Sequence, residues 1–281
     1  MKNKFEADLG TYYVFPFIIN FKFQTENYFY AQKHTFYLKS IIDYNFRFLK
    51  NNHIENIYSK KIYIIIEPKL SKDSILKFKK NKCFYQLFFK KNRRKYVVFT
   101  LLGLSDLYNL IKFIYDNDLP KNYLIIHSSC VLNKKNNTAT VICGKSGTGK
   151  TTLSNILERR NSFIKLSDDL TLMYFNKRNF FVSPVIIDYH FLSLFIKYKF
   201  NLIDLYKIKV NNLIILKKSN YNIFQEVKDK VKAFHFFSEL ENINQYFLNK
   251  LIAKRDIRIF KINFFDHNFK NLILDKLISF L

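Results

Sequence analysis

Acidic side chains are scarce in this chain: 22 Asp and Glu stand against 47 Lys and Arg, a formal net charge of +25 at neutral pH. The imbalance points on its face to a polyanionic partner such as nucleic acid or an acidic membrane. Only eight of those bases are Arg, however, and the lysine excess travels with many Asn, Ile, Phe and Tyr, the residues of A/T-rich codons. Such bias would mark any protein of an A/T-rich genome. The lysines are scattered and no nucleic-acid motif accompanies them, so a nucleic-acid partner is not expected. The densest cluster, KFKKNKCFYQLFFKKNRRK from Lys77 to Lys95, interleaves bases with aromatics. That pattern suits stacking on single strands, but it reads better as two amphipathic strands with wet outer faces.

Glycine and proline are also few, five and four, which excludes a low-complexity or collagen-like chain, and no fixed-period repeat is visible. Three cysteines, at 83, 130 and 143, are odd in number and lack CxxC spacing, so neither a zinc site nor a disulfide framework is implied. A reducing interior is the expected compartment. Glu6 and Asp8 occupy the place where a signal peptide would need an apolar run. The longest apolar segments, around Tyr96–Ser105 and Phe180–Ile187, fall short of the ~20 residues that span a bilayer. These absences predict a cytoplasmic protein with no membrane partner. What is present is 48% apolar residues over 281 positions, enough for an ordered core in one large or two small domains.

Residues 1–120 read as a β-rich region in which no chemistry is visible. Thr11–Phe23, Lys61–Pro68, Cys83–Phe89 and Lys95–Leu102 are rich in β-branched and aromatic residues and predict strands. LSDLYNLIKFIYDND carries apolar residues at helical spacing and stops before Pro120. From 121 to 281 the pattern alternates. YLIIHSSCVL and TATVICG predict a hairpin around NKKNN, and TTLSNILERR a helix with Leu153, Ile156 and Leu157 on one face. SFIKLSDD predicts a short strand, TLMYF and FFVSPVII a second hairpin, NNLIILKK and IRIFKINF strands, and SELENINQYFLNKLIAK and DHNFKNLILDKLISFL helices. The fold class expected is a mixed α/β (α+β) core of ordinary domain size.

The chemistry concentrates in one stretch. Gly144-Lys145-Ser146-Gly147-Thr148-Gly149-Lys150-Thr151 matches G-x-x-x-x-G-K-[ST] completely. A loop with little side chain lets successive backbone N–H groups converge on an anion, and the following helix adds its positive end. Lys150 is suited to neutralise outer phosphates and the Thr151 hydroxyl to ligate Mg²⁺, and Thr152 is expected with Gly144–Thr151 among the nucleotide-binding residues. Eighteen residues after Lys150 come Asp168 and Asp169. A carboxylate at the end of a neighbouring strand can hold Mg²⁺ directly or through water. Consecutive side chains of an extended strand face opposite ways, so one aspartate could meet the metal and the other the incoming nucleophile. His127 falls in the middle of the strand that pairs with the one entering the loop.

His127 at a hairpin start, G-x-S-G-x-G-K-[ST] over 144–151, the basic pair Arg159-Arg160 and L-x-D-D over 166–169 together resemble the catalytic domain of HPr kinase/phosphorylase. That domain shares its nucleotide core with ATP-dependent phosphoenolpyruvate carboxykinase, and GKSGTGKTTLS of this chain, over 144–154, with the Asp168-Asp169 pair, is also very similar to the carboxykinase loop. The resemblance is strong over residues 123–172 and extends more loosely to 281. It implies a phosphate-loop (P-loop) core of that type, with ATP bound by Gly144–Thr151 and Mg²⁺ held by Thr151 and Asp169. It further implies Asp168 as the general base toward an acceptor hydroxyl, with His127 beside it to orient or tune it. Thr152 stands where HPr kinases carry an acidic residue. A late basic residue that contacts phosphate in the family has Arg255 and Arg258 as candidates here. The chain is too short for a carboxykinase and lacks its second lobe. Short stand-alone relatives of HPr kinase have a similar layout, and some of them phosphorylate precursor peptides. The expectation is an ATP-dependent kinase acting on a hydroxyl, foremost a Ser, of a peptide or protein. A small-metabolite kinase of the same fold, and a nucleotide-binding module acting on nucleic acid, remain as alternatives. A homo-oligomer is compatible with the sequence.

Overall fold

A computed structural model of the chain describes residues 5–25, 35–40, 42–43, 60–66, 89–92, 95–98, 104–185, 194, 198, 200, 202–229, 231, 245–254, 256–264 and 271–281. The chain divides into two compact units, Met1–Leu119 and Pro120–Leu281. Each carries its own sheet, and the whole is a sheet-rich mixed α/β protein. Among the described residues no helix is long and apolar enough to cross a membrane.

The first unit holds β1 (Phe5–Val14), β2 (Phe17–Thr25), β3 (Lys60–Ile66), β4 (Phe89–Asn92), β5 (Lys95–Val98) and helix α1 (Leu104–Asp118). The sheet order is β1-β2-β3-β5-β4. The segment Thr11–Phe23, expected as one strand, is two strands folded back on each other, with Val14 opposite Phe17. The reason is Pro16, which has no N–H to give to a ladder and so falls at the turn. Along β2 buried and half-buried residues alternate, with Phe17, Ile19, Phe21 and Phe23 fully buried, the period of a strand with one wet face. Tyr115 of α1 is buried and donates its hydroxyl to Phe15 O at 2.7 Å, which ties the helix to that turn. The basic cluster Lys77–Lys95 lies largely outside the described residues.

The second unit is built on β6 (Tyr123–Asn133), β7 (Thr138–Gly144), β8 (Phe163–Ser167), β9 (Leu170–Asn176), β10 (Asn179–Pro184), β11 (Ile208–Lys218), β12 (Ile223–Glu226) and β13 (Arg258–Phe264). Its helices are α2 (Lys150–Glu158), α3 (Leu202–Leu205), α4 (Gln245–Ala253) and α5 (Asn271–Phe280). Both predicted hairpins form, β6–β7 and β9–β10. The short strand β12 and helix α3 had no sequence signal strong enough to predict them. The sheet order is β10-β9-β6-β7-β11-β13-β12, with β8 beside β6 and a further ladder between β10 and β11.

Apolar packing covers both faces of this sheet, which is why successive residues Val141, Ile142 and Cys143 of β7 are all apolar and buried. On one face Cys130, Leu132, Val141 and Cys143 pack with Phe180, Phe247 and Leu251. On the other Val131 and Ile142 meet Leu153 and Leu157 of α2 and Leu274 and Leu277 of α5. Leu153 and Leu157 are four residues apart, hence on one helical face, and both are fully buried. Burial of this kind contributes about 1.5–3 kcal/mol per side chain and presses the loop helix onto β6, β7 and β8. Strands β7, β11 and β13 are mutually parallel, so their C-terminal ends share one edge. The glycine loop leaves β7 at that edge, where open α/β sheets bind ligands.

Candidate functional site

Close packing decides the loop's first residue. A Cβ on Gly144 would stand 2.5 Å from Thr148 Oγ1 and 2.8 Å from Leu216 O, closer than real Cβ atoms come, so the strand end and the loop can touch only through glycine. At the other end Gly149 caps α2 with φ 84° and ψ 21°, the left-handed region that side chains disfavour. Between them Thr148 donates both its N–H (3.2 Å) and its hydroxyl (2.8 Å) to Lys145 O. Lys150 is buried and donates its ammonium to Gly144 O at 2.8 Å and Lys145 O at 3.2 Å. Lys145, Ser146, Gly147 and Thr151 are exposed, and Thr152 is half-buried. A buried ammonium under an open rim, at the positive end of a helix with no side-chain cap, has the chemistry that suits an anion such as phosphate.

The two aspartates lie at a changeover. Strand β8 pairs with the far half of β6, with Cys130 opposite Ser167, and β9 pairs with the near half, with His127 opposite Leu170. Asp168 and Asp169 form the bend between them. Ser128 N–H donates to Asp169 O at 3.1 Å, and Ser129 Oγ donates to Asp168 O at 2.9 Å. These serines, to which the sequence assigned no role, hold the bend in place.

Burial separates the pair. Asp168 is 8% exposed, and its Oδ1 is 3.3 Å from Ser129 Oγ, 3.4 Å from Ser154 Oγ and 3.5 Å from Lys165 Nζ. Ser154 Oγ also donates to Thr151 O at 3.0 Å, which places this carboxylate against the first turn of the loop helix. Asp169 is 60% exposed and its Oδ1 is 2.8 Å from His127 Nε2. His127 was expected beside Asp168; the carboxylate contact the structure shows for it is with Asp169. The cause is the bend. His127 and Ser129 are two residues apart on β6 and share a face, so the aspartates meet the same row of side chains one step apart. An extended chain would have sent them to opposite faces.

The arginine expectation changes too. Arg258 begins β13 opposite Asn212 of β11, which pairs with Thr140 of β7. Thr140 precedes Gly144 by four residues, about 13 Å along a strand at ~3.3 Å per residue. Arg258 thus lies at the end of the sheet away from the loop. It is engaged with Glu226 at 3.0 and 3.2 Å, with Phe280 O at 3.1 Å, and with the rings of Phe260 and Phe280. Arg255 lies outside the described residues.

Residues the sequence reading missed are Ser154, Asn155 and Lys165. The available signal was a lysine inside the apolar run FIKL. It is 4% exposed and donates to Asn155 Oδ1 at 2.6 Å. Cys130 is not a nucleophile candidate, since complete burial pushes its thiol pKa up and keeps it protonated. The carboxylate held beside α2 is that of Asp168, a hard oxygen donor of the kind that suits Mg²⁺ better than softer metals; among the described residues no cluster of three or more His, Cys, Asp and Glu that could hold a metal forms.

No family model matches the chain, and no curated protein matches it. Among solved structures the HPr(Ser) kinase/phosphatase from Coxiella burnetii is similar over 56% of this chain and 94% of that chain, at 15% identity and a TM-score of 0.33. A likeness that shallow carries no argument about chemistry, which rests on the side chains described above.

Proposed function

We propose that the second unit is a Mg²⁺-dependent ATP phosphotransferase acting on a hydroxyl, foremost a Ser of a peptide or protein. The observation that carries this reading is the juxtaposition at α2. One end of the helix presents the glycine loop with Lys150, and one turn in the helix touches Asp168 through Ser154, which also bonds Thr151 O, while Asp169 and His127 stand exposed a residue away. In this reading the loop N–H groups and Lys150 bind the β- and γ-phosphates and hold the γ-phosphoryl in line. Mg²⁺ would be held at the Thr151 hydroxyl and an aspartate and would offset charge on the phosphate oxygens.

Two divisions of labour between the aspartates are open to test. The resemblance implies Asp168 as base and Asp169 on the metal. The geometry favours the reverse. Asp168 faces an ammonium and two hydroxyls and is almost closed to solvent, so an acceptor hydroxyl would have to displace them. Asp169 is open, and His127 at 2.8 Å is placed to orient it and share the proton it receives. The bond broken is that between the γ-phosphorus and the bridging oxygen of ATP; the bond formed joins phosphorus to the acceptor oxygen, whose proton passes to Asp169.

Equilibrium ATP titration combined with a transfer assay on a serine peptide, free serine and no acceptor tests this. Asp169→Asn should leave ATP affinity within about threefold and lower transfer by ~10²–10⁴-fold, the usual worth of a general base. Asp168→Asn should weaken Mg²⁺-dependent nucleotide binding. The opposite pattern would return the base to Asp168. Hydrolysis without transfer to any hydroxyl, stimulated by single-stranded nucleic acid, would sink the kinase reading.

A further inference from the structure

Lys165 is an unusual residue for its place. Every residue of β8 is buried, and a lysine side chain is rarely enclosed to 4% exposure unless paired. Removing an ammonium from water costs several kcal/mol, and this one recovers interactions from two directions. Its Nζ is 2.6 Å from Asn155 Oδ1, on the loop helix, and 3.5 Å from Asp168 Oδ1, three residues along its own chain. A methionine or leucine would fill the same space, and buried ion pairs are often replaceable by apolar side chains with no loss of stability. Stability alone therefore does not account for the charge.

The geometry around it suggests what does. Asp168 is bracketed by Ser129 Oγ from β6, Ser154 Oγ from α2 and Lys165 Nζ from β8. Lys165 is the member of this group that also grips the helix, at Asn155, one residue beyond Ser154. Ser154 and Asn155 follow the loop's Lys150-Thr151-Thr152 with one residue, Leu153, between. The carboxylate and the phosphate loop are thereby joined by a short path of buried polar contacts, independent of the bend backbone.

We propose that Lys165 is a positioning residue that sets the Asp168 carboxylate against the first turn of the loop helix, and so sets the distance between the acidic pair and the bound phosphates. This rests on the phosphotransferase reading above. Lys165 touches neither nucleotide nor acceptor; it acts through Asp168. Outer partners of this kind typically change metal affinity or activity by about 10–100-fold when removed.

The test uses the full chain and Lys165→Met, Lys165→Arg and Asn155→Leu. Three quantities are measured: thermal unfolding, ATP affinity with and without Mg²⁺, and turnover at saturating ATP on whichever acceptor the wild-type protein uses, or ATP hydrolysis. Lys165→Met is expected to unfold near the wild-type temperature and to keep its metal-free ATP affinity. It should lose about 10–100-fold in the tightening that Mg²⁺ brings and in turnover. A merely structural lysine would lower the unfolding temperature and leave the Mg²⁺ ratio unchanged, which would overturn the proposal. Lys165→Arg, which keeps the charge, should recover part of the loss. Should Lys165→Met fail to fold, Asn155→Leu carries the same test, because it leaves the lysine facing Asp168 and removes its tie to the helix; an unchanged Mg²⁺ ratio there would equally overturn the proposal. Combining Lys165→Met with Asp168→Asn should cost no more than Asp168→Asn alone, whereas additive losses would show that Lys165 does not act through Asp168. A wild-type protein that binds no ATP under any condition would refute the phosphotransferase reading itself, a result distinct from a normal enzyme indifferent to Lys165.

Discussion

The two sheets differ in what they bury. Among the described residues of the first unit the buried charged or short polar side chains are Thr25 and Asp118, beside a mainly aromatic and aliphatic set that includes Phe17, Phe21 and Phe23. The second unit encloses Ser129, Lys150, Ser154, Lys165, Ser167 and Asp168 close to one edge of its sheet. A buried polar group stabilises nothing by its burial; it costs free energy unless its hydrogen bonds are made. A region that keeps such groups is organised around their geometry, and one that lacks them around packing. The first unit is therefore sensitive to side-chain volume, the second to charge and hydrogen bonding.

The strongest way to break this comparison is a pair of substitutions of opposite kind. Lys150→Ala should reduce ATP affinity or turnover by at least ~10³-fold while leaving most of the stability, as measured by nucleotide titration beside thermal unfolding. Phe21→Ala in the first sheet should do the reverse, costing about 3–5 kcal/mol with normal ATP affinity in the protein that remains folded. A Phe21→Ala protein that is stable but cannot bind ATP would mean that the first sheet contributes to the site. Of intermediate size is Gly144→Ala. Its added Cβ meets Leu216 O at 2.8 Å, backbone that cannot swing away, so a loss of about 1–3 kcal/mol is expected from overpacking, together with weaker ATP binding because the loop must shift. Unchanged binding would show that the loop tolerates the displacement.

The smallest effect belongs to Arg258 and Glu226, at the far end of the sheet. Hydrogen bonds from the Arg258 guanidinium hold the Glu226 carboxyl below the usual glutamate range, against a smaller opposing effect of burial. A depressed folded-state pKa means stability present above the unfolded value, near 4.3, and lost as pH falls through the folded one. Glu226 is about a third exposed, so solvent screening limits the contribution to under ~1 kcal/mol. Glu226→Gln should slightly flatten acid unfolding below about pH 4.5 and leave ATP affinity untouched. An effect on ATP binding would bring Arg258 back as a phosphate contact.

The glycine loop was legible because its requirement is local: close approach at Gly144 and a left-handed cap at Gly149 admit few other residues, so the loop's shape is written into residue type at fixed spacing. Three of the chain's five glycines fall within those six positions, which makes the signal stand out. The hairpin at Phe15-Pro16 was misread because a β-rich run masks a turn when a single proline is its only punctuation. The partner of His127 was not legible at all. It depends on the changeover between His127, which pairs with β9, and Cys130, which pairs with β8, and no spacing rule along the chain records it.

By itself the sequence determined the glycine loop, the helix behind it, the strand leading into it and the early aspartate pair, because each is specified by residues within a few positions of one another. Only the tertiary structure decided that Asp168 is enclosed and Asp169 open, that Arg258 belongs to the opposite end of the sheet, and that a lysine in an apolar strand joins the acid to the loop helix. Those facts arise from contacts between residues distant in sequence or turned by a bend, and they are set by strand register and by the packing of α2 on β6 and β8.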